Sequence, residues 1–311
     1  MQNQTKGIIY AVITAIFWGV LAVALKVAVM EVDSVTIVWF RFSLAFTPLL
    51  VWHIIKRPEG LRILYRPPLL LVIATLALAY NYIGFMWGIE YTTPSGAQLF
   101  IQMGPILLTL AGVLFFREKI TRKQMLGFLL ALIGLLLFYN QQIGALTGGE
   151  NIYMKGVLLT LSGAFAWAVY GALQKKLVAR YSTFTLNMFL FGLPTILYIP
   201  LADFTQLSDL SPAMWAIMAF LGINTLVAYT TLSLSLKYLE AGKVSIIIIM
   251  NPLITFIIMG ILTEMNVSWI DGENFTLLSV VGAVIVIAGA ILVVRKKRKT
   301  IPPVVASSES A

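Results

Sequence analysis

The chain repeats itself. Setting Gly7 against Gly156 brings the following twenty residues into register, so that Trp18 meets Trp167 and Lys26 meets Lys175. Setting Tyr82 against Tyr229 pairs Tyr91 with Tyr238 and Pro105 with Pro252. Near the ends of the two copies, Gly127 and Gly134 correspond to Gly282 and Gly289, with the same spacing of seven. Each copy carries five apolar segments. A unit with an odd number of membrane crossings forces its second copy to enter from the opposite side, so the expected architecture is an inverted-topology repeat, which places a site near the midplane between the halves.

Composition agrees with a membrane solution. Apolar residues make up 59% of the chain and charged residues only 11%, against roughly a quarter charged in soluble domains. A spanning helix takes about 20 apolar residues, so 311 residues hold ten spans with short loops and no room for a soluble domain. The expected fold is an all-α integral membrane protein with ten transmembrane helices in two inverted five-helix repeats, residues 1–147 and 148–299, followed by a disordered cytoplasmic tail at 300–311. The spans are placed at about 7–29, 34–55, 67–89, 93–116, 122–140, 153–175, 183–202, 212–236, 241–263 and 275–294. Pro67-Pro68, Pro94, Pro212 and Gly148-Gly149 punctuate the loops. The first apolar run is too long for a signal peptide and is read as the first span. There are no cysteines, which excludes disulfides, thiolate nucleophiles and cysteine metal sites.

Orientation follows from the basic residues. With the N-terminus in the cytoplasm, nineteen of the 22 lysines and arginines fall inside. They include Lys56 to Arg66, Arg117 to Lys123, Lys175 to Arg180 and the run Arg295 to Lys299. Nine of the thirteen acids fall outside. Both termini are therefore expected in the cytoplasm, in a multi-pass protein of the cytoplasmic (inner) membrane. The net charge of +9 belongs to these loops and not to a nucleic-acid surface.

These residues resemble the EamA family of the drug/metabolite transporter superfamily. The resemblance rests on Trp18, the run Trp39-Phe40-Arg41-Phe42, Met103-Gly104-Pro105, and Arg117-Glu118-Lys119-Ile120-Thr121 followed by Gln124, Gly127 and Gly134. In the second half it rests on Trp167, Tyr238-Leu239-Glu240-Ala241-Gly242, Asn251-Pro252 and Glu264. It covers about residues 6–295 and implies a carrier that exports or exchanges small organic solutes, such as amino acids or related metabolites, by alternating access. One departure stands out: Glu118 lies nine residues before Gly127, whereas Glu264 lies eighteen before Gly282. The loop at 265–274 is an insertion that sets Glu264 apart from Glu118.

Arg41 is the sharpest single signal, a basic residue inside an apolar run. A charge at bilayer depth costs at least ~2.5–3.5 kcal/mol, so it is expected to face a cavity or a partner. Two readings stand: contact with an anion or carboxylate, or a structural arginine that bonds carbonyls or snorkels. Lys26 sits on one face with Trp18 and Ala22 and is read as snorkelling. Its mate Lys175 is assigned to the basic inner loop. Ser95, Gln98, Gln102 and Pro105 form a polar stripe on one face of span 4, lining a wet cavity or bonding between helices. Pro105 and Pro252 are expected helix kinks, with Asn251 adding a polar side chain at the second.

Trp18, Trp167, Tyr80, Tyr82, Trp87, Tyr170 and Tyr229 are candidates to shape the cavity. Asn81, Asn187 and Asn224 fit interhelical hydrogen bonds or solute contact, and Gly84, Gly88, Gly127 and Gly134 fit close helix packing. His53, the only histidine, is read as interfacial. The substrate-site candidates are thus Trp18, Arg41, Tyr82, Gln98, Gln102, Trp167, Tyr229 and Asn251. No catalytic constellation, metal-ligand spacing or cofactor motif is present. The expected partners are a small-molecule substrate and the lipid bilayer, not nucleic acid. Because one chain holds both halves, a monomer could function. A flippase for lipids or lipid-linked headgroups is the alternative, ahead of a channel or an intramembrane enzyme.

Overall fold

The structure is a computed structural model that describes residues 2–92, 94–138, 151–269 and 276–294. The expected tail, the basic run Arg295 to Lys299 and Gly148-Gly149 lie outside them, as does the Ser95 side chain. Among the described residues the chain is helical and contains no strand. The helices are α1 (Gln2–Ala28), α2 (Ser34–Lys56), α3 (Leu69–Tyr91), α4 (Pro94–Ile101), α5 (Met103–Phe116), α6 (Arg122–Phe138), α7 (Asn151–Leu177), α8 (Thr183–Tyr198), α9 (Pro212–Tyr238), α10 (Ala241–Ile248), α11 (Asn251–Glu264) and α12 (Leu277–Val294). Among the described residues, seven tracts are long and apolar enough to cross a membrane: Asn3–Ala28, Ser34–Lys56, Leu69–Tyr91, Ile152–Leu177, Thr183–Leu201, Pro212–Tyr238 and Ala241–Glu264. Met103–Phe116 and Leu277–Leu292 are apolar but shorter.

The element ends follow local chemistry. Asp33 caps α2, its carboxylate accepting from Val35 N at 2.8 Å and Thr36 N at 3.1 Å. Ser211 caps α9, accepting from Met214 N at 3.1 Å, with Pro212 in the first turn, where its missing N–H costs nothing. Within the longer tracts, the helix breaks at Gln102 between α4 and α5, and at Ile249-Met250 between α10 and α11. Each break lies just before a proline, Pro105 or Pro252. A proline ring collides with the carbonyl four residues earlier. Here those carbonyls belong to Ile101 and Ile248, the last residues of α4 and α10.

Packing is reciprocal between the two halves. α1 packs on α9 and α3 on α7; α2 packs on α9 and α3 on α8; α1 packs on α11 and α5 on α7. α2 and α8 pack together, as do α6 and α12. Small residues set the closest approaches. A Cβ on Gly134 of α6 would lie 2.7 Å from Gly282 O of α12, and one on Gly289 would lie 2.5 Å from Gly127 O. Asparagines bridge two pairs: Asn81 Nδ2 donates to Gly163 O at 3.0 Å, and Asn224 Nδ2 to Phe17 O at 2.6 Å. Large apolar side chains such as Leu114, Phe115 and Leu277 point outward, the surface a bilayer accepts.

Two residues differ from their expected settings. His53 is fully buried, its Nδ1 2.7 Å from Leu49 O and its Nε2 3.1 Å from Thr185 Oγ1. The 3₁₀ turn Pro58–Leu61 folds back over it and brings Gly60 against the ring, so the imidazole is packed inside the protein and not exposed at its surface. Lys175 is not a loop cation. It pairs with Glu118 at 3.2 Å and donates to Leu239 O at 2.7 Å.

Candidate functional site

One cavity lies between the halves. Its lining includes all eight candidate residues, Trp18, Arg41, Tyr82, Gln98, Gln102, Trp167, Tyr229 and Asn251, together with Pro105. It offers about 80 Å³ to water-sized molecules, where roughly 10–15 Å³ accommodates one water. The first half supplies the walls. α1 contributes Trp18 to Leu25, α2 contributes Arg41, α3 contributes Asn81 to Phe85, and α4 with its following break contributes Gln98 to Gln102. All lie toward the end of the bundle that holds Ala28, Ser34, Tyr91 and Pro94, where the Ser34 hydroxyl donates to Glu90. The second half supplies the floor through Trp167, Tyr229, Ile248 and Asn251. The cavity thus runs from mid-bundle toward one end only.

The floor is aromatic. Trp18 sits edge-on to Trp167 at 5.8 Å between ring centroids and to Tyr229 at 5.4 Å. Tyr82 lies 5.6 Å from Tyr229, and Phe42 backs it at 4.4 Å. Such stacks hold bulky side chains rigid and present flat apolar faces with polar edges.

The polar groups converge on the interrupted helices. Asn251 Oδ1 accepts from Gln98 Nε2 at 3.1 Å and from Gln102 Nε2 at 3.0 Å. Gln102 occupies the break between α4 and α5, and Asn251 opens α11 just after the other break. The proline-induced interruptions therefore bring the two polar side chains together. The amide stripe does both things its spacing allows: it bonds between helices and it lines the cavity.

Arg41 is 3% exposed. Its Nε donates to Thr225 Oγ1 at 3.1 Å, and its guanidinium carbon lies 4.5 Å above the Tyr82 ring. Among the described residues the ion pairs are Arg57–Glu59, Lys175–Glu118 and Lys243–Glu240, and none involves Arg41. The guanidinium is thus fixed by a hydroxyl and a ring face, and no carboxylate among the described residues pairs with it. Thr225 was not singled out from sequence. The available signal was its place one turn before Tyr229 on α9.

Other aromatic candidates fall elsewhere. Tyr80 and Trp87 are 43% and 37% exposed. They recur at a seven-residue step, on the flank of α3 that turns away from Tyr82, and Tyr80 Oη bonds Ser162 Oγ at 2.8 Å. Tyr170 is fully buried beneath the floor, 5.8 Å from Tyr229. Glu264 is exposed at the end of α11, unlike the half-buried Glu118. The described residues contain no group of three or more His, Cys, Asp or Glu side chains that could hold a metal ion.

The EamA-like transporter family profile matches residues 5–140 and again residues 154–295. The chain belongs to the EamA-like transporter family. An uncharacterized transporter of Haemophilus influenzae is 32% identical over 293 residues, covering 94% of this chain and 95% of that one. The uncharacterized inner membrane transporter YhbE of Escherichia coli is 33% identical over 292 residues, covering 93% and 91%. A probable amino-acid metabolite efflux pump of Salmonella typhimurium is 25% identical over 293 residues, covering 90% and 91%. A solved crystal structure shares the fold of this EamA-like protein with a TM-score of 0.71, at 16% identity, covering 93% of this chain and 97% of that one. Family and relatives alike are named for transport across membranes.

Proposed function

We infer that this EamA-like transporter is a secondary carrier, not an enzyme, that moves small carboxylate-bearing organic solutes such as amino acids or related metabolites. It does so by alternating access across the cytoplasmic membrane. The observation that carries the reading is Arg41. A guanidinium buried in a cavity without a counter-ion is costly, and a solute carboxylate supplies the missing charge through two parallel hydrogen bonds. The amides of Gln98, Gln102 and Asn251 offer further donors and acceptors, while Trp18, Trp167, Tyr82 and Tyr229 pack the solute's apolar part. The name of the Salmonella typhimurium relative points to the same solute class.

In this reading the chain spans the membrane ten times as two inverted five-helix repeats, α1 to α6 and α7 to α12, with both termini cytoplasmic. Supporting it are the reciprocal packing of the halves, the two family matches and the nineteen basic residues on one side. The cavity then faces outward, and the Glu118 end is cytoplasmic. Purified protein in proteoliposomes loaded with amino acids tests the reading by counterflow. Saturable exchange of labelled amino acid is expected. Exchange that fails for every amino acid and carboxylate metabolite, alongside flipping of labelled lipid, would overturn it in favour of a flippase.

A further inference from the structure

Beneath the cavity floor, toward the Glu118 end, lies a second set of polar side chains that the cavity does not use. Along α7, Tyr170 and Gln174 follow the floor residue Trp167 by three and seven positions. Along α9, Ser233 follows Tyr229 by four. Along α10, Ser245 precedes Ile248 by three. Each step runs away from the cavity. All four residues are fully buried.

Their hydrogen bonding is incomplete. Gln174 Nε2 donates to Ser233 Oγ at 2.7 Å and to Asn187 Oδ1 at 3.2 Å, and Ser233 Oγ donates to Asn187 Oδ1 at 3.1 Å. Yet Gln174 Oε1, Tyr170 Oη and Ser245 Oγ have no hydrogen-bond partner among the described residues. Tyr170 Oη comes near the Ser233 hydroxyl without making a hydrogen bond to it. Unpartnered polar atoms at this depth cost free energy that leucine in the same places would avoid. A core built only for packing has no use for them.

The internal repeat says what they correspond to. In the register that pairs Trp18 with Trp167, the mates of Tyr170 and Gln174 are Leu21 and Leu25. In the register that pairs Pro105 with Pro252, the mate of Ser245 is Gln98. Leu21, Leu25 and Gln98 all line the open cavity. The three residues with unpartnered atoms therefore occupy, in the second half, the places that form the cavity wall in the first.

The far end is bolted. Glu118 Oε1 accepts from Ala241 N at 2.9 Å and Oε2 from Gly242 N at 3.3 Å. Lys175 Nζ lies 3.2 Å from Glu118 Oε1 and donates to Leu239 O at 2.7 Å. The left-handed Arg117, φ 53°, turns the chain at the end of α5 just before Glu118. One ion pair thus ties the ends of α5 and α7 to the turn between α9 and α10.

We propose that Tyr170, Gln174, Asn187, Ser233 and Ser245 line the second half of the solute path, closed in this conformer, and that Glu118 and Lys175 form the latch that seals it. The proposal rests on the carrier reading. The lining presents amide and hydroxyl groups and no carboxylate, which suits a hydrogen-bonding organic solute that exchanges partners as it passes. Opening the latch hydrates the unpartnered atoms, while the Arg41 side closes.

The cysteine-free chain allows a direct test. Ser233→Cys and Ser245→Cys each exchange one atom, and Gln102→Cys reports on the open cavity. Each is placed in membrane vesicles of both orientations and treated with an impermeant maleimide. With the latch intact, labelling of the two serine positions should be slow. In Glu118→Gln or Lys175→Met protein it should become about tenfold faster from the Glu118 side, with Gln102→Cys slowing from the other, as expected of a population shift. Lys175→Arg, which keeps the pair, should restore slow labelling. If both serine positions stay unreactive in both latch variants, with folded protein verified by size exclusion, the path proposal is wrong. Labelling needs no solute, so its failure is distinct from failure of the carrier reading. Working counterflow with unreactive cysteines overturns the path alone, and reactive cysteines without counterflow of any solute overturn the carrier alone.

Discussion

Tyr82 and Tyr229 meet with ring centroids 5.6 Å apart, although they stand at equivalent places in the two halves of the chain. Trp18 and Trp167, also equivalent, meet at 5.8 Å. Gly134 packs on Gly282 while Gly127 packs on Gly289, an exchange of partners between equivalent pairs. Contacts between repeat mates arise when two similar units face each other about a shared axis. This supports the inverted-repeat reading, and the cavity takes its lining from both halves. The symmetry is broken at the chemistry: Arg41 and the Gln98–Gln102 amides belong to the first half only.

Asn251 is the hub of the amide cluster, since its single Oδ1 accepts from both glutamines. Asn251→Leu strands two buried donors and is expected to cost about 1–3 kcal/mol. Gln102→Leu removes one donor and leaves Gln98 to hold the acceptor, so it should cost less in thermal unfolding in detergent. A double-mutant cycle between Gln102 and Asn251 should show coupling of about 0.6–1.7 kcal/mol, the range for hydrogen bonds between membrane helices. Transport by Gln102→Leu should fall while folded yield holds. Undiminished transport with raised stability would reduce the amide to a helix contact.

The glycine contacts give a sharper stability test. A Cβ at position 134 would come 2.7 Å from both Gly282 O and Val286 N, backbone atoms that cannot swing aside. At Gly163 the nearest atom is 3.5 Å away, an ordinary contact. Gly134→Ala should destabilise by about 1–3 kcal/mol through overpacking. Gly163→Ala should be neutral or gain up to about 1 kcal/mol from reduced chain entropy. Melting temperatures of the two variants in the same detergent decide it, and equal values would mean that α6 and α12 are farther apart than described.

How much of this was legible beforehand depends on the kind of signal. Apolar run length and proline position located the helices to within a few residues, because the cost of exposing backbone in lipid acts locally. The cavity residues were legible through the repeat and through polar side chains at helical spacing. Contacts between distant segments were not. Nothing local told that Pro58–Leu61 would fold over His53, or that Lys175, beside Lys176 in a basic run, would leave the loop to pair with Glu118. Thr225 was hidden for the same reason, since a threonine in an apolar helix usually bonds its own carbonyl. Tyr80 and Trp87 were misassigned because aromatic content alone does not say which face of α3 a residue occupies.

Orientation is testable without a substrate. Asp209 and Lys119 are both exposed, at opposite ends of the bundle. By the distribution of basic residues, a cysteine at Asp209 should react with an impermeant thiol reagent applied to intact cells. One at Lys119 should react only after permeabilisation. The reverse pattern would invert the topology and turn the cavity toward the cytoplasm.

Arg41 separates binding from architecture. If its guanidinium binds a solute carboxylate, then Arg41→Lys keeps the charge but loses the planar pair of donors. It should raise the KM for an amino acid about tenfold, roughly the 1.4 kcal/mol expected for one charged hydrogen bond. Arg41→Leu should abolish transport while the protein remains folded, or melts higher, because an unpaired buried charge has been removed. Thr225→Val takes away the hydroxyl that fixes Nε at 3.1 Å, so it should weaken binding less than Arg41→Lys does. Initial rates in proteoliposomes, normalised to folded protein, give all three values. Wild-type rates in Arg41→Leu would show that the guanidinium only braces α2 against α9, and the solute's charged group would have to be sought elsewhere.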